Sequence, residues 1–462
     1  MSKKLLLLLS LGLGACTAGP NYQAPTNSFI DKWFSSSSKV VSQEPINTQW
    51  WNVFDDPLLT KYIEQSAVNN KDVQIAIANV NRARALRREN SGSLLPSLDS
   101  SADATRSKSS GANSSFNSGE IRNVYDAGFD ASWEIDIFGG NRRSIEAADA
   151  RIGSAMASYN NVMLSTFSEV ARNYYEARGA QRNIALTQKN IALLKQTYEL
   201  INARLDVGEA TQFDVTRAKG EYEATQARLP NLEAELEVNI FSLSALLGLP
   251  PEALLEEMKV VQSLPTTPDI VPVGLRSDLL RRRPDVKMAE RELAASNADI
   301  GSETANLFPK FFITGDVGTQ ARNFGDLFMA SAGMWSFGPS IRWSVFEGGA
   351  IRARIDVEKA ENKAALASYE KVVLEALSDI EKALTRYGRE IETRNKLNQS
   401  VQSRREAVDL AQALLDAGEV DYLSVLDAQR ELTSSENDLV NSETQTITKL
   451  ISLYTALGGG WE

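Results

Sequence analysis

Five residues that occur twice constrain the fold more than any other feature of the chain. Residues 205–209, Leu-Asp-Val-Gly-Glu, recur as Leu-Asp-Ala-Gly-Glu at 415–419, and the match continues to Ala218 and Ala428 at a constant offset of 210 residues. The chain therefore contains two copies of one unit. In each copy a long helical pattern runs into the glycine, which can adopt the left-handed conformation that closes a helix C-terminus.

A second helix is predicted to begin a few residues after each glycine. Thr211 stands three residues before Asp214, and Asp421 stands three residues before Ser424, which is the spacing of helix N-caps. Each glycine is thus predicted to be the bend of a long antiparallel helical hairpin. We refer to residues 207–214 as the first tip and to residues 417–424 as the second tip.

The periodicity of the remaining chain predicts the same order of elements in both repeats. Repeat 1 spans residues 57–247, with a helix, strands at about 98–106 and 124–137, a long helix over 141–207 and a helix over 211–247. Repeat 2 spans residues 277–457, with a helix, strands at about 310–319 and 335–346, a long helix over 350–417 and a helix over 421–457. Each long helix would be about 100 Å long at 1.5 Å per residue, and an apolar heptad pattern predicts a coiled coil.

The strands alternate apolar and polar residues in a way that suits an outer-membrane barrel. From Tyr125 to Ile137 the apolar face is aromatic near its ends, and the run is long enough to cross a membrane as a tilted strand. Its polar face predicts an acidic lumen formed by Asp126, Asp130, Glu134 and Asp136, with Arg342 as a counter-charge. The strands of a soluble β-sandwich alternate in the same way, so the pattern alone does not prove a membrane barrel. Any water-filled lumen also needs polar side chains, whether or not they select ions. Four strands cannot close a barrel alone, so subunits must share one, and three subunits would supply twelve strands.

The N-terminus has the pattern of an exported lipoprotein. Residues 1–15 are predicted to be a signal peptide, with Lys3 and Lys4 before a short apolar run. The sequence Leu-Gly-Ala-Cys that ends at Cys16 resembles a bacterial lipobox, so Cys16, the only cysteine, is predicted to receive a covalent lipid. Residues 16–56 are predicted to be an extended tether, 248–276 a Pro-rich equatorial insert, and 458–462 a C-terminal tail.

Composition excludes several classes of function. The chain contains no histidine, so His-based acid–base chemistry and His/Cys metal sites are excluded. A net charge of −11 argues against nucleic-acid binding. A carboxylate enzyme is compatible with the composition, but two similar coiled-coil halves offer no obvious cleft, and we expect no enzyme. A structural coiled-coil lipoprotein and a protein-secretion duct stay open as alternatives.

Several motifs in their order resemble one family along essentially the whole mature chain. The motifs are Gly19-Pro20-Asn21-Tyr22 with Pro25, Trp50-Trp51 with Phe54, Asp56 and Pro57, Arg282-Arg283-Pro284-Asp285-Val286, the two tip glycines, and the ending Ala456-Leu457-Gly458-Gly459-Gly460-Trp461. Together they resemble the TolC-type outer-membrane efflux ducts, and within them the OprM-like lipoprotein branch that serves RND drug pumps.

The resemblance implies a mainly α-helical fold with a transmembrane β-barrel. It implies a homotrimer whose twelve-stranded barrel, with four strands per subunit, continues as a tunnel of twelve helices in the periplasm. The chain would conduct drugs or other small toxic compounds passively through the outer membrane of a Gram-negative bacterium. Its partners would be a periplasmic membrane-fusion adaptor, an RND-type inner-membrane pump and outer-membrane lipids, and no metal or cofactor other than the lipid on Cys16 is expected.

The resemblance also implies site residues at the two tips. Leu423 and Asp427 match the periplasmic constriction and lie one helical turn apart, so a trimer would form an apolar ring and a carboxylate ring. Some relatives have an arginine lock where this chain has Val420, and such a lock is not expected here. The residues that would dock the adaptor are Gly208, Glu209, Thr211, Asp214, Gly418, Glu419, Asp421 and Ser424.

Overall fold

The computed structural model describes residues 17–25, 33–34, 41–42, 44, 48–110, 120–274 and 282–460. The chain forms two compact units. Unit 1 takes its described residues from the ranges 1–26, 79–156 and 288–370, and unit 2 takes them from the ranges 27–78, 157–287 and 371–462.

The fold is mainly helical. The helices are α1 (Pro57–Asn69), α2 (Lys71–Gly92), α3 (Gly140–Asp206), α4 (Gln212–Gln226), α5 (Leu229–Leu246), α6 (Pro284–Ala305), α7 (Ala350–Asp416) and α8 (Tyr422–Ala456). The strands are β1 (Val41–Ser42), β2 (Ser97–Lys108), β3 (Ile121–Ile135), β4 (Val271–Pro272), β5 (Lys310–Ala321) and β6 (Gly333–Arg342). Among the described helices, none is both long and apolar enough to cross a membrane.

The first arm of repeat 1 is two helices, not one, because Asn70 begins a new helix. Its backbone is extended, and its side-chain Oδ1 accepts hydrogen bonds from the backbone N–H groups of Asp72 and Val73 at 2.9 and 3.2 Å. Its Nδ2 also donates to the Leu246 carbonyl at 2.9 Å. Asn70 is therefore the N-cap of α2 and ties the start of that helix to the end of α5.

The return arm of repeat 1 is also divided. The continuous helix expected over 211–247 is instead α4 and α5, which are separated by Ala227 and Arg228. Pro230 lies in the first turn of α5, where its missing N–H breaks no hydrogen bond, whereas inside a continuous helix it would remove one. The corresponding arm of repeat 2 is the unbroken 35-residue helix α8.

Both long helices contain 67 residues, about 100 Å at the helical rise. They end at Asp206 and Asp416, one residue before the expected ends. The helix expected at the start of repeat 2, before its first strand, is α6 from Pro284 to Ala305. Residues 275–281 lie outside the described chain.

Unit 1 contains a four-stranded antiparallel sheet in the order β2-β3-β5-β6. Two strands end earlier than expected. β3 ends at Ile135 because Asp136 turns away to cap α3, and β6 ends at Arg342, so Trp343 and Val345 follow the strand. The Trp343 indole instead donates to the Leu307 carbonyl at 3.1 Å. The apolar side chains of β6 are exposed, with Trp335 at 79% and Phe337 at 74%.

The expectation of an extended tether over 16–56 is wrong for most of its described residues. In unit 1 the Arg143 guanidinium donates to the Ala18 carbonyl and to Asn21, at 3.1 and 2.7 Å, and the Tyr22 hydroxyl donates to Glu290 at 2.6 Å. In unit 2 a 3₁₀ turn over Trp50–Phe54 belongs to the hydrophobic core. Aromatic rings of this size stabilise the fold most when buried, so the segment packs instead of remaining solvated.

The insert packs within unit 2 through two long helices. Arg178 of α3 donates to the Val260 carbonyl at 2.5 Å, and Arg394 of α7 donates to Thr267 at 2.8 Å. β4 pairs in parallel with β1, and 3₁₀ turns cover Pro251–Leu254 and Glu257–Lys259. The insert is thus a fixed element of unit 2 and not a loose connection.

Candidate functional site

The first tip is built by a helix ending and a complete capping box. Gly208 has a positive φ of 78°, and the N–H groups of Gly208 and Glu209 donate to the carbonyls of Leu205 and Arg204. Beyond the bend, the Thr211 hydroxyl accepts from the Asp214 N–H while the Asp214 carboxylate accepts from the Thr211 N–H. The Thr211 hydroxyl also donates to the Asp214 carboxylate at 2.6 Å, and the hydrogen bonds that this carboxylate accepts from the Thr211 hydroxyl and N–H lower the pKa of Asp214 below its usual range.

The second tip repeats the bend with a simpler cap. Gly418 has a φ of 76°, and the N–H groups of Gly418 and Glu419 donate to the carbonyls of Leu415 and Leu414. The Asp421 carboxylate accepts hydrogen bonds from the Ser424 N–H at 3.0 Å and from its hydroxyl at 2.8 Å. The predicted glycine bends and N-caps are therefore confirmed at both tips.

The start of α8 packs on the first hairpin through Tyr422. The small core there consists of Ile201, Val215 and Ala218, and Tyr422 packs against it. Burial raises the pKa of Tyr422, as expected for a phenol placed among apolar side chains. The position equivalent to Tyr422 in repeat 1 is Gln212, which is exposed.

An ion pair joins the two hairpins one turn further along. Arg217 of α4 donates to Asp427 of α8 at 2.9 Å between Nη2 and Oδ1. The two residues are 210 positions apart, so they occupy equivalent places in the two repeats. Both side chains are more than a third exposed, and such a pair contributes only about 0–1 kcal/mol.

Sequence reasoning singled out Asp427 and missed Arg217. The available signal was the repeat itself, because the two equivalent positions carry opposite charges. Leu423, the other residue expected at the constriction, is half-buried, one turn before Asp427. Leu423, Asp427 and the exposed tip residues Glu209, Thr211, Glu419, Asp421 and Ser424 all belong to unit 2.

The strand register in unit 1 aligns carboxylates that lie far apart in the sequence. Asp99 faces Asp130, and Asp130 faces Asp316 on its other side, so three strands place an aspartate in one row. Asp103 likewise faces Asp126. Directly opposed residues share a face of the sheet with about 5 Å between their Cβ atoms. The acidic face therefore includes Asp99, Asp103 and Asp316, which the sequence pattern did not reveal.

Two expectations about this face need correction. Asp136 does not belong to it, because its carboxylate accepts hydrogen bonds from the Asn141 and Arg142 backbone at the start of α3. Among the described residues Arg342 forms no ion pair with the acidic side chains, and its guanidinium instead stacks on the Phe312 ring at 4.7 Å. Lys310 lies 3.8 Å from Glu134 and takes that role. Cys16 lies outside the described residues.

Comparison with known proteins identifies the family. The model of the outer membrane efflux protein family matches residues 62–249 and 275–459. The chain belongs to the outer membrane efflux protein family. Nodulation protein T of Rhizobium leguminosarum bv. trifolii is 32% identical, over 98% of this chain and 96% of its own length. The solvent efflux pump outer membrane protein SrpC of Pseudomonas putida is 29% identical, over 99% of this chain and 98% of its own length.

The fold of this efflux protein also matches a solved channel. The outer-membrane channel OprN has 36% sequence identity and a TM-score of 0.90, and the match covers 96% of this chain and 100% of that one. The expected resemblance to efflux channels is confirmed. SrpC and OprN are an efflux-pump outer membrane protein and an outer-membrane channel and not enzymes, in agreement with the expectation for this chain.

Proposed function

We propose that this efflux protein is the outer-membrane channel of a tripartite efflux system and passively conducts drugs or other small toxic compounds to the outside. The observation that carries the proposal is the attachment of α8 to the first hairpin by Tyr422 and by the Arg217–Asp427 pair. In a passive duct these contacts hold the constriction closed, and separating the hairpins opens it.

The channel is a homotrimer with one shared barrel. The four-stranded sheet leaves β2 and β6 as edge strands, and exposed edges of this length favour pairing with another chain. Three copies give twelve strands, which is enough to enclose a water-filled lumen, whereas four are not. The helices of the three copies form the twelve-helix periplasmic tunnel.

The constriction consists of Leu423 and Asp427 from each copy. Three leucines form an apolar ring that water leaves easily, and three carboxylates one turn away disfavour anions. Arg217 neutralises part of this charge in the closed state and holds each Asp427 in place. Opening the duct therefore breaks three weak ion pairs, and contacts with a docked partner can offset the free energy that is lost.

The partners are a periplasmic membrane-fusion adaptor, docked on both tips, and an RND-type inner-membrane pump. The tips support this assignment because their caps leave exposed polar groups around rigid bends. The first tip also exposes Val207 at 71% and Phe213 at 67%. An adaptor with helical hairpins can pack apolar side chains on these two and hydrogen-bond the rest.

The N-terminus is anchored in the outer membrane by a covalent lipid on Cys16. The support is the position of the residues that follow it, since the Ala18 N–H donates to the Phe138 carbonyl at 2.9 Å, between β3 and α3. This fixes the chain beside the end of a membrane strand, where a lipid can enter the bilayer. Replacement of Cys16 by Ser should abolish incorporation of radiolabelled palmitate. Label that persists in this variant would contradict the assignment of the lipid to Cys16.

The acidic face of the sheet lines the lumen and favours cations over anions. Asp130 is the middle residue of its carboxylate row, so the Asp130→Asn variant should shift the reversal potential towards lower cation selectivity. An unchanged reversal potential would mean that the face serves only to hold water.

Single-channel conductance in planar bilayers tests the function. The wild type should show a small cation-selective conductance that rises several-fold in Asp427→Ala and in Arg217→Ala. Lys219→Ala is the matched control, because Lys219 lies on the same helix and, within the described part of the chain, pairs only with Glu223 of α4. Equal conductance in all four proteins would move the gate elsewhere, and no conductance in any would favour a structural lipoprotein.

A further inference from the structure

Unit 2 contains an apolar cavity that the channel function does not use. It has a volume of about 450 Å³ and lies between α3, α5 and the insert. Its larger apolar lining residues are Ile184, Leu236, Ile240, Leu255, Met258 and Val261. Ligand sites of small molecules have volumes of about 300–1,000 Å³ and mostly apolar walls, so the size and lining suit a drug-sized molecule.

The walls of the cavity are fixed before any ligand arrives. The Gln181 side chain donates to the Met258 carbonyl, and Arg178 donates to the Val260 carbonyl at 2.5 Å, so α3 holds the insert directly. Met258 and Ile240 form the floor, with exposures of 0% and 3%, whereas Val261 at the mouth is 58% exposed. A preformed site of this kind loses little free energy to ordering when it binds.

The charges on the lining select the sign of the ligand. Lys259 and Glu256 form an ion pair at 2.5 Å and neutralise each other. Glu237 is the other charged residue of the lining, and among the described residues its carboxylate makes no ion pair or hydrogen bond. The cavity therefore offers an apolar floor and one free negative charge on its lining.

We propose that this cavity binds a small amphipathic cation, with its apolar body against Met258 and Ile240 and its positive group beside Glu237. An anionic ligand is disfavoured because two carboxylates and one ammonium leave a net negative lining. Occupation by a neighbouring copy of the chain is the alternative that the experiments below distinguish. The proposal does not depend on the channel function.

Fluorescence anisotropy of the full-length protein in detergent tests the site with two dyes. Rhodamine 6G is an apolar cation, and N-phenyl-1-naphthylamine is a neutral apolar molecule of similar aromatic character. Glu237→Gln should weaken rhodamine 6G binding roughly tenfold, as loss of one charged contact does, while the neutral dye changes less than about twofold. Glu233→Gln is the matched control, because Glu233 is exposed one turn earlier on α5 and does not line the cavity.

A second variant tests whether the dyes bind in this cavity. Ala185 is an exposed lining residue of α3, so Ala185→Trp should fill the cavity without disturbing the core and should abolish binding of both dyes. Thermal unfolding of this variant should match the wild type. Wild-type dye binding in both Glu237→Gln and Ala185→Trp would overturn the site. A change of assembly mass in Ala185→Trp with unchanged dye binding would overturn it in favour of a second copy as the occupant.

Discussion

The two hairpin tips have nearly the same backbone and differ in what their return helices contact. Both bend at a glycine with φ near 77°, and both restart with a side-chain cap. Among the positions at which the repeats differ, two determine these contacts. Gln212 corresponds to the partly buried Tyr422, and Arg217 corresponds to Asp427, its own ion-pair partner.

This difference shows how two copies of one pattern can become complementary. Two identical hairpins would place like charges at equivalent positions, and neither would have an anchor for the other. With opposite charges and a single tyrosine, the second hairpin is held on the first by a few weak contacts. Weak contacts suit a gate, because a partner can break them at a cost of a few kcal/mol.

The largest effect is expected from making the second tip resemble the first. Tyr422→Gln removes the ring that packs on the small core of the first hairpin, and this should cost about 2 kcal/mol of local stability at the start of α8. Hydrogen exchange over residues 421–428 should accelerate accordingly, and channel conductance should rise. Gln212→Ala is the control, because Gln212 is exposed and packs on nothing comparable. Equal exchange in the two variants would mean that Tyr422 does not hold α8.

A smaller effect is expected from the caps. Thr211→Ala and Asp421→Ala each remove a side chain that satisfies backbone N–H groups, at a cost of about 1 kcal/mol. Thr211 belongs to a reciprocal box and Asp421 does not, so exchange at the first tip should increase more than at the second. The opposite ranking would show that the second tip depends more on its cap.

Charge reversal at either member of the Arg217–Asp427 pair should have a still smaller effect, which the double variant should reverse. Asp427→Arg brings two cations together, and Arg217→Asp brings two carboxylates together, so each should raise conductance by weakening the closed state. The double variant restores the pair with reversed polarity and should return towards the wild-type value, with a coupling of about 0.2–1 kcal/mol. Purely additive changes would mean that the pair does not couple the hairpins.

The smallest effect is expected from acid at the first tip. Since the folded pKa of Asp214 is below its unfolded value of about 3.9, its contribution is present above about pH 4 and is lost as the pH falls through the folded pKa. Exchange at Thr211 and Asp214, corrected for intrinsic rates, should therefore accelerate only below about pH 4. Asp214→Asn should remove this dependence, and a dependence that persists would assign it to another group.

Much of the fold followed from local chemistry. The Gly208 and Gly418 bends, the caps at Thr211 and Asp421 and the long helices depend on residues within a turn or two of each other. The misplaced boundaries have local causes too, since Asn70 and Pro230 interrupt helices that the apolar pattern alone predicts as continuous. Asp136 fits the strand alternation as well as the other acidic residues of β3 do, but it caps α3 and so does not belong to the strand.

The sequence by itself determined the repeat, the hairpins, the strands, the absence of histidine chemistry and the resemblance to efflux channels. Tertiary structure alone decided which distant residues meet. It aligned Asp99, Asp130 and Asp316 through strand register, and it brought Arg394 onto the insert. It also paired Arg217 with Asp427. The physical reason is that helix and turn propensities act between neighbours in the chain, whereas register and side-chain pairing depend on contacts between segments that only folding brings together.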